Sequence, residues 1–189
     1  MRRFCRTLLC MLLMMALTLP VSAVAYYDNV KGEYYEGDAP TFTGTLNQRM
    51  ATRTGPATEF EEPGSFFKAG EQVQVISIAY DENDVPWVQV DFWYGKKHYR
   101  AYTGLKRFDG LTENELPLEL TGQYGPAALT RNVKPRFGPG EDYEAYSFTL
   151  KKDRMVELLE IEGDYGMVQF YATGDKQWYR LWVPTDALW

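Results

Sequence analysis

The sequence predicts an all-β fold of two tandem small barrels, with low helix content outside the N-terminal segment. A stretch of sequence occurs twice, about 83 residues apart. Within each copy, short runs of apolar, branched and aromatic residues lie between turn formers, and apolar positions alternate with a period of two. No stretch has an apolar stripe of 3.6-residue period longer than two turns. The 189 residues include 5 Trp, 14 Tyr and 10 Phe, and this density of apolar rings excludes a globally disordered chain.

Residues 1–25 have the pattern of a secretory signal peptide. Arg2, Arg3 and Arg6 form a positive start, an apolar run follows over 7–19, and Ala23-Val24-Ala25 supplies the small residues of a cleavage site. A membrane anchor is the alternative, but this run is about 13 residues long and spanning a bilayer takes roughly 20. A lipoprotein would carry its cysteine after the run rather than within it. We therefore expect a secreted protein, extracellular or associated with the cell envelope, with no membrane span in its mature form.

Cysteine and charge exclude several classes of function. Both cysteines, Cys5 and Cys10, lie within 1–25, so the mature chain would have no disulfide, no Cys nucleophile and no thiolate metal site. Without 1–25 the chain has 17 basic and 26 acidic residues, a net charge of −9. Since phosphate binding needs clustered Lys and Arg, a nucleic acid is not an expected partner.

The internal repeat rests on four anchors in one order. Residues 53–60 (RTGPATEF) match 136–143 (RFGPGEDY), and 67–76 match 150–159 at the same offset of 83. After a three-residue gap, 88–90 align with 168–170 at an offset of 80, and Tyr99-Arg100 aligns with Tyr179-Arg180. This alignment places Met167 opposite Trp87 and Asp153 opposite Gly70.

The repeat divides the mature chain into four parts. Residues 26–43 are a Tyr-rich acidic lead-in with no period, which we interpret as an extended tail. The first barrel is expected over 44–109 and the second over 125–189, each with its own core. The linker, 110–124, has several Leu residues and one Pro, so we expect it to pack on a barrel.

Within each copy, strands and hairpins follow from local sequence. Val73 and Val75 alternate with polar neighbours, and residues 87–94 (WVQVDFWY) are rich in aromatic and branched side chains. Turn formers at 94–97 and 173–176 predict a hairpin in each copy. Closure of such small sheets into barrels would remove exposed edge strands.

The order of these motifs resembles that of bacterial SH3-like (SH3b) domains, in two tandem copies. The matching features are Arg-x-Gly-Pro, an aromatic residue, apolar-Lys-x-Gly, Val-x-Val, Trp-Val-x-Val and Gly-Lys. The family's closing Gly-Trp-Val is replaced by Ala101-Tyr102-Thr103 and Leu181-Trp182-Val183. The resemblance implies a five-stranded, partly open barrel that binds peptides or cell-wall glycopeptides. It also implies an accessory role beside an enzyme, whereas no enzyme domain is visible here.

Few residues are suited to catalysis. The single histidine, His98, cannot supply a His-based metal site by itself, and no mature Ser lies in a nucleophile-elbow sequence. The acidic groups 61–62, 81–84 and 141–142 fall in predicted loops and are interpreted as solvated charge rather than a glycosidase pair. Residues 81–84 also lack the ligand spacing of a calcium loop. We expect a protein that is not an enzyme and has no metal or cofactor.

The most specific feature is a ladder of aromatic and Arg side chains in both copies. His98, Arg100 and Tyr102, and likewise Trp178, Arg180 and Trp182, lie on one strand face at a period of two. One interpretation is a cation–π stack that covers a barrel edge. The other is a platform for peptide carboxylates or sugar faces. With the groove aromatics, the candidate ligand-binding residues are Phe60, Trp87, Trp93, Arg100, Tyr102, Tyr143, Tyr171, Trp178, Arg180 and Trp182.

These patterns favour an exported binding protein that recognises a cell-envelope peptide or glycopeptide, with the first copy supplying most of the affinity. Two alternatives remain open. One is a secreted adaptor or inhibitor whose Tyr-rich lead-in engages an extracellular protein. The more remote one is a carboxylate-dependent cell-wall hydrolase.

Overall fold

A computed structural model describes residues 25–28, 33–36 and 42–189, the first two ranges by their backbone alone. The predicted signal peptide therefore lies, except for Ala25, outside the described residues. Within the described part of the chain there is no helix with the length and apolar character needed to cross a membrane.

The described chain is all-β, as predicted, and its helices are single 3-10 turns. These turns are Leu105–Arg107, Glu113–Glu115 and Thr185–Ala187. The strands are β1 (Ala25–Asp28), β2 (Glu33–Glu36), β3 (Phe42–Leu46), β4 (Ala51–Thr52), β5 (Gly64–Ser65), β6 (Gln72–Tyr80), β7 (Pro86–Tyr94), β8 (Lys97–Gly104), β9 (Phe108–Asp109), β10 (Gly125–Ala128), β11 (Met155–Glu162), β12 (Tyr165–Ala172) and β13 (Gln177–Pro184).

Two antiparallel sheets make up most of the structure. The first has the order β8-β7-β6-β3-β9, and the second has the order β10-β11-β12-β13. Both orders are linear, so among the described strands neither sheet closes on itself. Strands β4 and β5 pair separately, and so do β1 and β2. The lead-in thus contains two paired strands, where the sequence predicted an extended tail.

The two copies repeat each other in backbone detail. In the first, the pairing of β6 with β7 shifts register between Val75 and Ser77. In the second, the pairing of β11 with β12 shifts between Leu158 and Glu160, at the same offset of 83. The turn that precedes each of these strands contains a left-handed residue, Gly70 with φ 87° and Asp153 with φ 65°. The repeated sequence is therefore also a repeated structure, and we call the two halves the first and second repeats.

The cross-strand register corrects one part of the sequence alignment. Trp87 pairs with Gly104 at the end of the first hairpin, and Tyr165 pairs with Pro184 at the same place in the second. The offset between β7 and β12 is thus 78 rather than 80, because the second hairpin turn has two additional residues. Tyr165, not Met167, is the structural counterpart of Trp87.

Most buried apolar residues of both repeats form one continuous cluster, whereas the sequence predicted a separate core in each. The two halves meet where the ring of Tyr99 lies edge-on against Phe137, with centroids 5.0 Å apart. The linker lies along β6, since Ile78 donates its N–H to Pro117 O at 2.9 Å and Glu119 donates to Ile78 O at 2.8 Å. These contacts fix how the repeats face each other.

Candidate functional site

The ladder residues lie where the two repeats meet. Arg100, on β8, donates from Nε to Asp91 Oδ2 at 3.2 Å, within its own repeat. It then reaches the second repeat, donating from Nη1 to Glu162 Oε2 at 2.6 Å and from Nη2 to the Tyr143 hydroxyl at 3.2 Å. Its guanidinium carbon is 5.5 Å from the Tyr143 ring centroid and 5.6 Å from that of Trp182.

Arg180 makes the corresponding contacts from the second repeat. It donates from Nη2 to Gln169 Oε1 at 2.9 Å within its own sheet, and from Nη1 to Glu119 Oε2 of the linker, also at 2.9 Å. Its guanidinium carbon is 5.5 Å from the ring centroids of Phe60 and Tyr102 in the first repeat. Each arginine is therefore held by an acceptor on its own sheet and by rings of the opposite repeat.

The Arg-x-Gly-Pro loops provide the rings that cross over. Phe60, from the first loop, lies beside β13, where Glu61 donates its N–H to Trp178 O at 3.0 Å. Tyr143, from the second loop, lies beside β8, where Glu144 donates its N–H to His98 O at 2.9 Å. Each repeat thus covers the outer edge of the other repeat's sheet, which removes two exposed edge strands.

The arginine and glycine of the motif hold these rings in place. Arg53 donates to Phe60 O at 3.0 Å, and Arg136 donates to Tyr143 O at 2.7 Å. A Cβ atom added at Gly138 would overlap the Tyr143 ring, and Gly55 has the same relation to Phe60. The arginine of the motif therefore hydrogen-bonds to the backbone of the aromatic residue, and the glycine leaves the space into which the aromatic ring packs.

Burial and charge shift the titration of the interface groups. Burial disfavours the charge of Arg100, but Glu162, Tyr143 and Asp91 outweigh it and raise the pKa of the guanidinium. Burial raises the pKa of the Glu160 carboxyl to about 8, and the nearby Glu119 and Glu162 carboxylates add to the shift. Glu160 therefore holds a proton at neutral pH, unlike an ordinary surface glutamate.

Most of the predicted groove residues are buried in this arrangement. Tyr102 and Trp182 are 3% and 2% exposed, and each belongs to a small apolar cluster at the interface. Trp87 lies with Tyr102 and Ala79 in the first cluster, and its Nε1 donates to Asp81 Oδ2 at 3.4 Å. Tyr102 also hydrogen-bonds to Glu119. These aromatics pack within the protein rather than line an open groove.

Two candidate aromatics remain accessible beside a groove of the second repeat. Tyr171 and Trp178 are 42% and 38% exposed, and their rings meet edge-on with centroids 5.4 Å apart. The groove has a volume of about 370 Å³. It is lined by residues from all four strands of the sheet and the turn before β11, namely Pro126, Arg154, Met155, Val156, Glu157, Gln169, Phe170, Tyr171 and Trp178.

Arg154 gives this groove a positive charge in a fixed position. Its guanidinium carbon lies 4.5 Å from the Phe170 ring centroid, and its Nη2 donates to Tyr171 O at 2.9 Å. Met155 adjoins it and is 61% exposed. Sequence reasoning missed Arg154, Met155 and Pro126. At the offset of 83, Arg154 and Met155 align with Glu71 and Gln72 of the first repeat, so their place at the start of β11 was readable from the repeat alignment.

At the equivalent place in the first repeat, His98 is covered by Tyr143 of the second repeat. Trp93 corresponds to Tyr171 and is 56% exposed, but it stacks on His98 with centroids 4.5 Å apart. His98 stacks in turn on Tyr143 at 3.9 Å, and its ring nitrogens face Asp91 and, at 2.9 Å, Asp142. In the second repeat the corresponding ring, Trp178, instead lies against Tyr171 beside the open groove.

No group of three or more His, Cys, Asp or Glu side chains suited to a metal ion occurs in the described part of the chain. Comparison with known protein families finds no family model that matches this chain, and comparison with curated proteins finds no match either.

Proposed function

We propose that the protein is an exported, non-enzymatic binding protein built from two SH3-like repeats, and that it recognises a cell-envelope peptide or glycopeptide. The observation that carries this proposal is the groove beside Tyr171 and Trp178, which we call the Tyr171–Trp178 groove. It combines exposed aromatic faces, a flexible apolar side chain in Met155 and a fixed guanidinium in Arg154.

The chemistry of the groove suits a peptide. Aromatic faces pack against apolar side chains and the C–H faces of sugars with little loss of conformational entropy. A guanidinium binds a carboxylate through paired N–H donors. A stem peptide or its glycan conjugate offers both kinds of group, an apolar backbone portion and free carboxylates.

The SH3-like assignment is supported by the small antiparallel sheets, the hairpins and the repeated Arg-x-Gly-Pro loop. In each repeat this loop folds over a sheet edge, with the glycine under an aromatic ring. The conserved geometry within the chain, with the same register shift and the same left-handed turn in both halves, indicates two copies of one fold.

Of the two interpretations of the ladder, the contacts favour the structural one. Arg100 and Arg180 are paired with carboxylates, an amide and aromatic rings inside the protein. A ligand would have to displace these partners to reach either guanidinium. We therefore assign binding to Tyr171 and Trp178, and cohesion of the repeats to the remaining ladder residues.

The proposal is tested by calorimetric titration of the mature chain with soluble peptidoglycan fragments, beside capture from whole-cell lysate. Trp178→Ala should weaken fragment binding at least about tenfold, the loss of one interface aromatic. Trp93→Ala, which removes an even more exposed ring from the first repeat, is the matched control and should bind normally. Equal affinity of both variants would overturn the groove assignment.

The salt dependence of binding provides a second test of the proposed recognition. Without residues 1–25 the chain has a net charge of −9 and gains little long-range attraction to an anionic wall, so binding through contacts should change little between low and physiological salt. A steep fall of affinity with salt would contradict contact-driven recognition. Capture of an extracellular protein, with no binding of peptidoglycan fragments, would instead support the adaptor or inhibitor hypothesis.

A further inference from the structure

A second cavity lies beside the loops that cross between the repeats. Its volume is about 280 Å³, at the lower limit of the range of roughly 300–1,000 Å³ found for small-molecule pockets. Both repeats line it, and we call it the inter-repeat cavity. Its walls are Glu61, Pro63, Phe66, Tyr99, Phe137, Glu144, Ala145, Tyr146 and Ser147.

Four aromatic rings form a continuous wall of this cavity. Phe66 lies against Tyr99 with centroids 5.0 Å apart, Tyr99 lies against Phe137 at 5.0 Å, and Phe137 lies against Tyr146 at 5.1 Å. Tyr99 and Phe137 are buried, whereas Phe66 and Tyr146 are half-buried and Ser147 is exposed. The wall is therefore rigid at its base and accessible at its rim.

Two carboxylates face the same space, at equivalent positions of the repeats. Glu144 Oε1 accepts a hydrogen bond from Lys97 Nζ at 2.8 Å. Glu61 differs, because its Oε2 is buried and has no hydrogen-bond partner. Burial raises the pKa of the Glu61 carboxyl, while a hydrogen bond from the Tyr146 hydroxyl and the charge of Arg53 act in the opposite direction.

We propose that the inter-repeat cavity binds a primary alkylammonium group of the kind carried by a lysine side chain. Aromatic faces attract an organic cation, more strongly where water is excluded. The carboxyl groups of Glu61 and Glu144, which line the cavity, add opposite charge. A quaternary ammonium has no N–H to donate to a carboxylate, whereas a primary ammonium has three. The alkyl chain of the ligand would pack along Phe66 and Pro63, and the small volume limits the ligand to about the size of one side chain.

This inference does not depend on the Tyr171–Trp178 groove. Of the nine residues that line the cavity, none lines that groove. A protein that failed to bind peptidoglycan fragments would still be expected to bind an alkylammonium here. Trp178→Ala should accordingly leave alkylammonium binding unchanged.

The test is nuclear magnetic resonance titration of the full mature chain, with the ring protons of Phe66 and Tyr146 as reporters. The probes are Nα-acetyl-lysine amide and n-butylammonium, with Nα-acetyl-norleucine amide as the neutral analogue and tetramethylammonium as the quaternary one. The two primary ammonium probes should bind at least about tenfold more tightly than either comparison probe. Equal binding of the norleucine analogue would overturn the proposal, and so would equal binding of tetramethylammonium.

Variants locate the interaction. Glu61→Gln keeps the shape of the side chain and removes its charge, and should reduce affinity for n-butylammonium about tenfold or more. Glu59→Gln, an exposed position outside the cavity lining, is the matched control and should bind as the wild type does. Unchanged affinity in a folded Glu61→Gln protein would refute the assignment, and its folded state is checked by the ring-proton spectrum of the same sample.

Discussion

Arg100 and Arg180 occupy equivalent positions on β8 and β13, and each places its guanidinium against aromatic rings of the opposite repeat. Arg100 lies over Tyr143 and Trp182, and Arg180 lies over Phe60 and Tyr102. The same contacts are made in both directions, which is the property of an isologous interface. The two arginines therefore join the halves of one chain as the subunits of a symmetric dimer are joined.

Removal of Arg180 should be costly because its partner is buried. The side chain of Glu119 is 4% exposed, so Arg180→Met would leave an unpaired charge and lower the free energy of unfolding by about 3–5 kcal/mol. Arg131→Met breaks the exposed pair with Asp186 and should cost less than about 1 kcal/mol. Urea unfolding of both variants measures the difference. Similar losses in the two would show that burial of the Arg180 pair contributes nothing.

The raised pKa of Glu160 predicts a pH-dependent stability. Its folded-state pKa is about 8 and its ordinary value is 4.5, so between these values the folded protein keeps a proton that the unfolded chain releases. The contribution of Glu160 to the free energy of unfolding is fully present below about pH 4.5. It decreases as pH rises toward 8, by up to about 1.4 kcal/mol per pH unit. Glu160→Gln removes this dependence. Relative to wild type, the variant should gain stability from pH 5 to pH 8, and parallel curves would contradict the assignment.

The two tryptophans Trp87 and Trp178 should respond differently to truncation. Trp87 is 9% exposed and packs within the interface cluster, so Trp87→Ala should lower stability by about 3–5 kcal/mol. Trp178 is 38% exposed, and Trp178→Ala should lower the melting temperature far less while weakening fragment binding. Thermal melts and titrations on the same two proteins separate these effects. A stable Trp87→Ala protein with reduced affinity would return Trp87 to the binding site.

Gly138 should tolerate no side chain, because the Tyr143 ring occupies the position of a Cβ atom. Gly138→Ala would push that ring away from His98 and Arg100, at a cost of about 1–3 kcal/mol. Gly174→Ala is the control, since nothing lies within 4 Å of the added Cβ there. Denaturant unfolding of both variants provides the measurement. A neutral Gly138→Ala would mean that the Tyr143 ring has freedom to shift.

The sequence predicted the strands and the faces of the ladder correctly, because alternation of side chains depends only on local geometry. The residues that alternate with the ladder along the same strands, such as Tyr99, Ala101 and Leu181, are buried. The register error in β12 arose in the hairpin turn, where two additional residues leave no signal until strand partners are known. That error led to the comparison of Trp87 with Met167.

The interface could not be predicted from local patterns. Glu119 and Glu162, which hold Arg180 and Arg100, lie 61 and 62 residues away from them. Glu119 lies in the linker, and the residue of the first repeat that corresponds to Glu162 is Ala79. Neither acid therefore belongs to a motif shared by the repeats. Only the folded chain shows that the ladder faces an opposite half rather than solvent. Tyr171 and Trp178 were among the ten predicted candidates, and both are exposed beside the groove of the second repeat.

The linker 110–124 makes association of the halves intramolecular, so their pairing does not depend on protein concentration as that of a dimer would. Covalent connection also frees the halves from sharing one sequence. A homodimer carries every substitution twice, whereas here Asp91 and His98 of one half are matched by Gln169 and Trp178 of the other. Tethering has thus allowed one copy to stack His98 on the neighbouring loop, while the other leaves the ring of Trp178 exposed beside its groove.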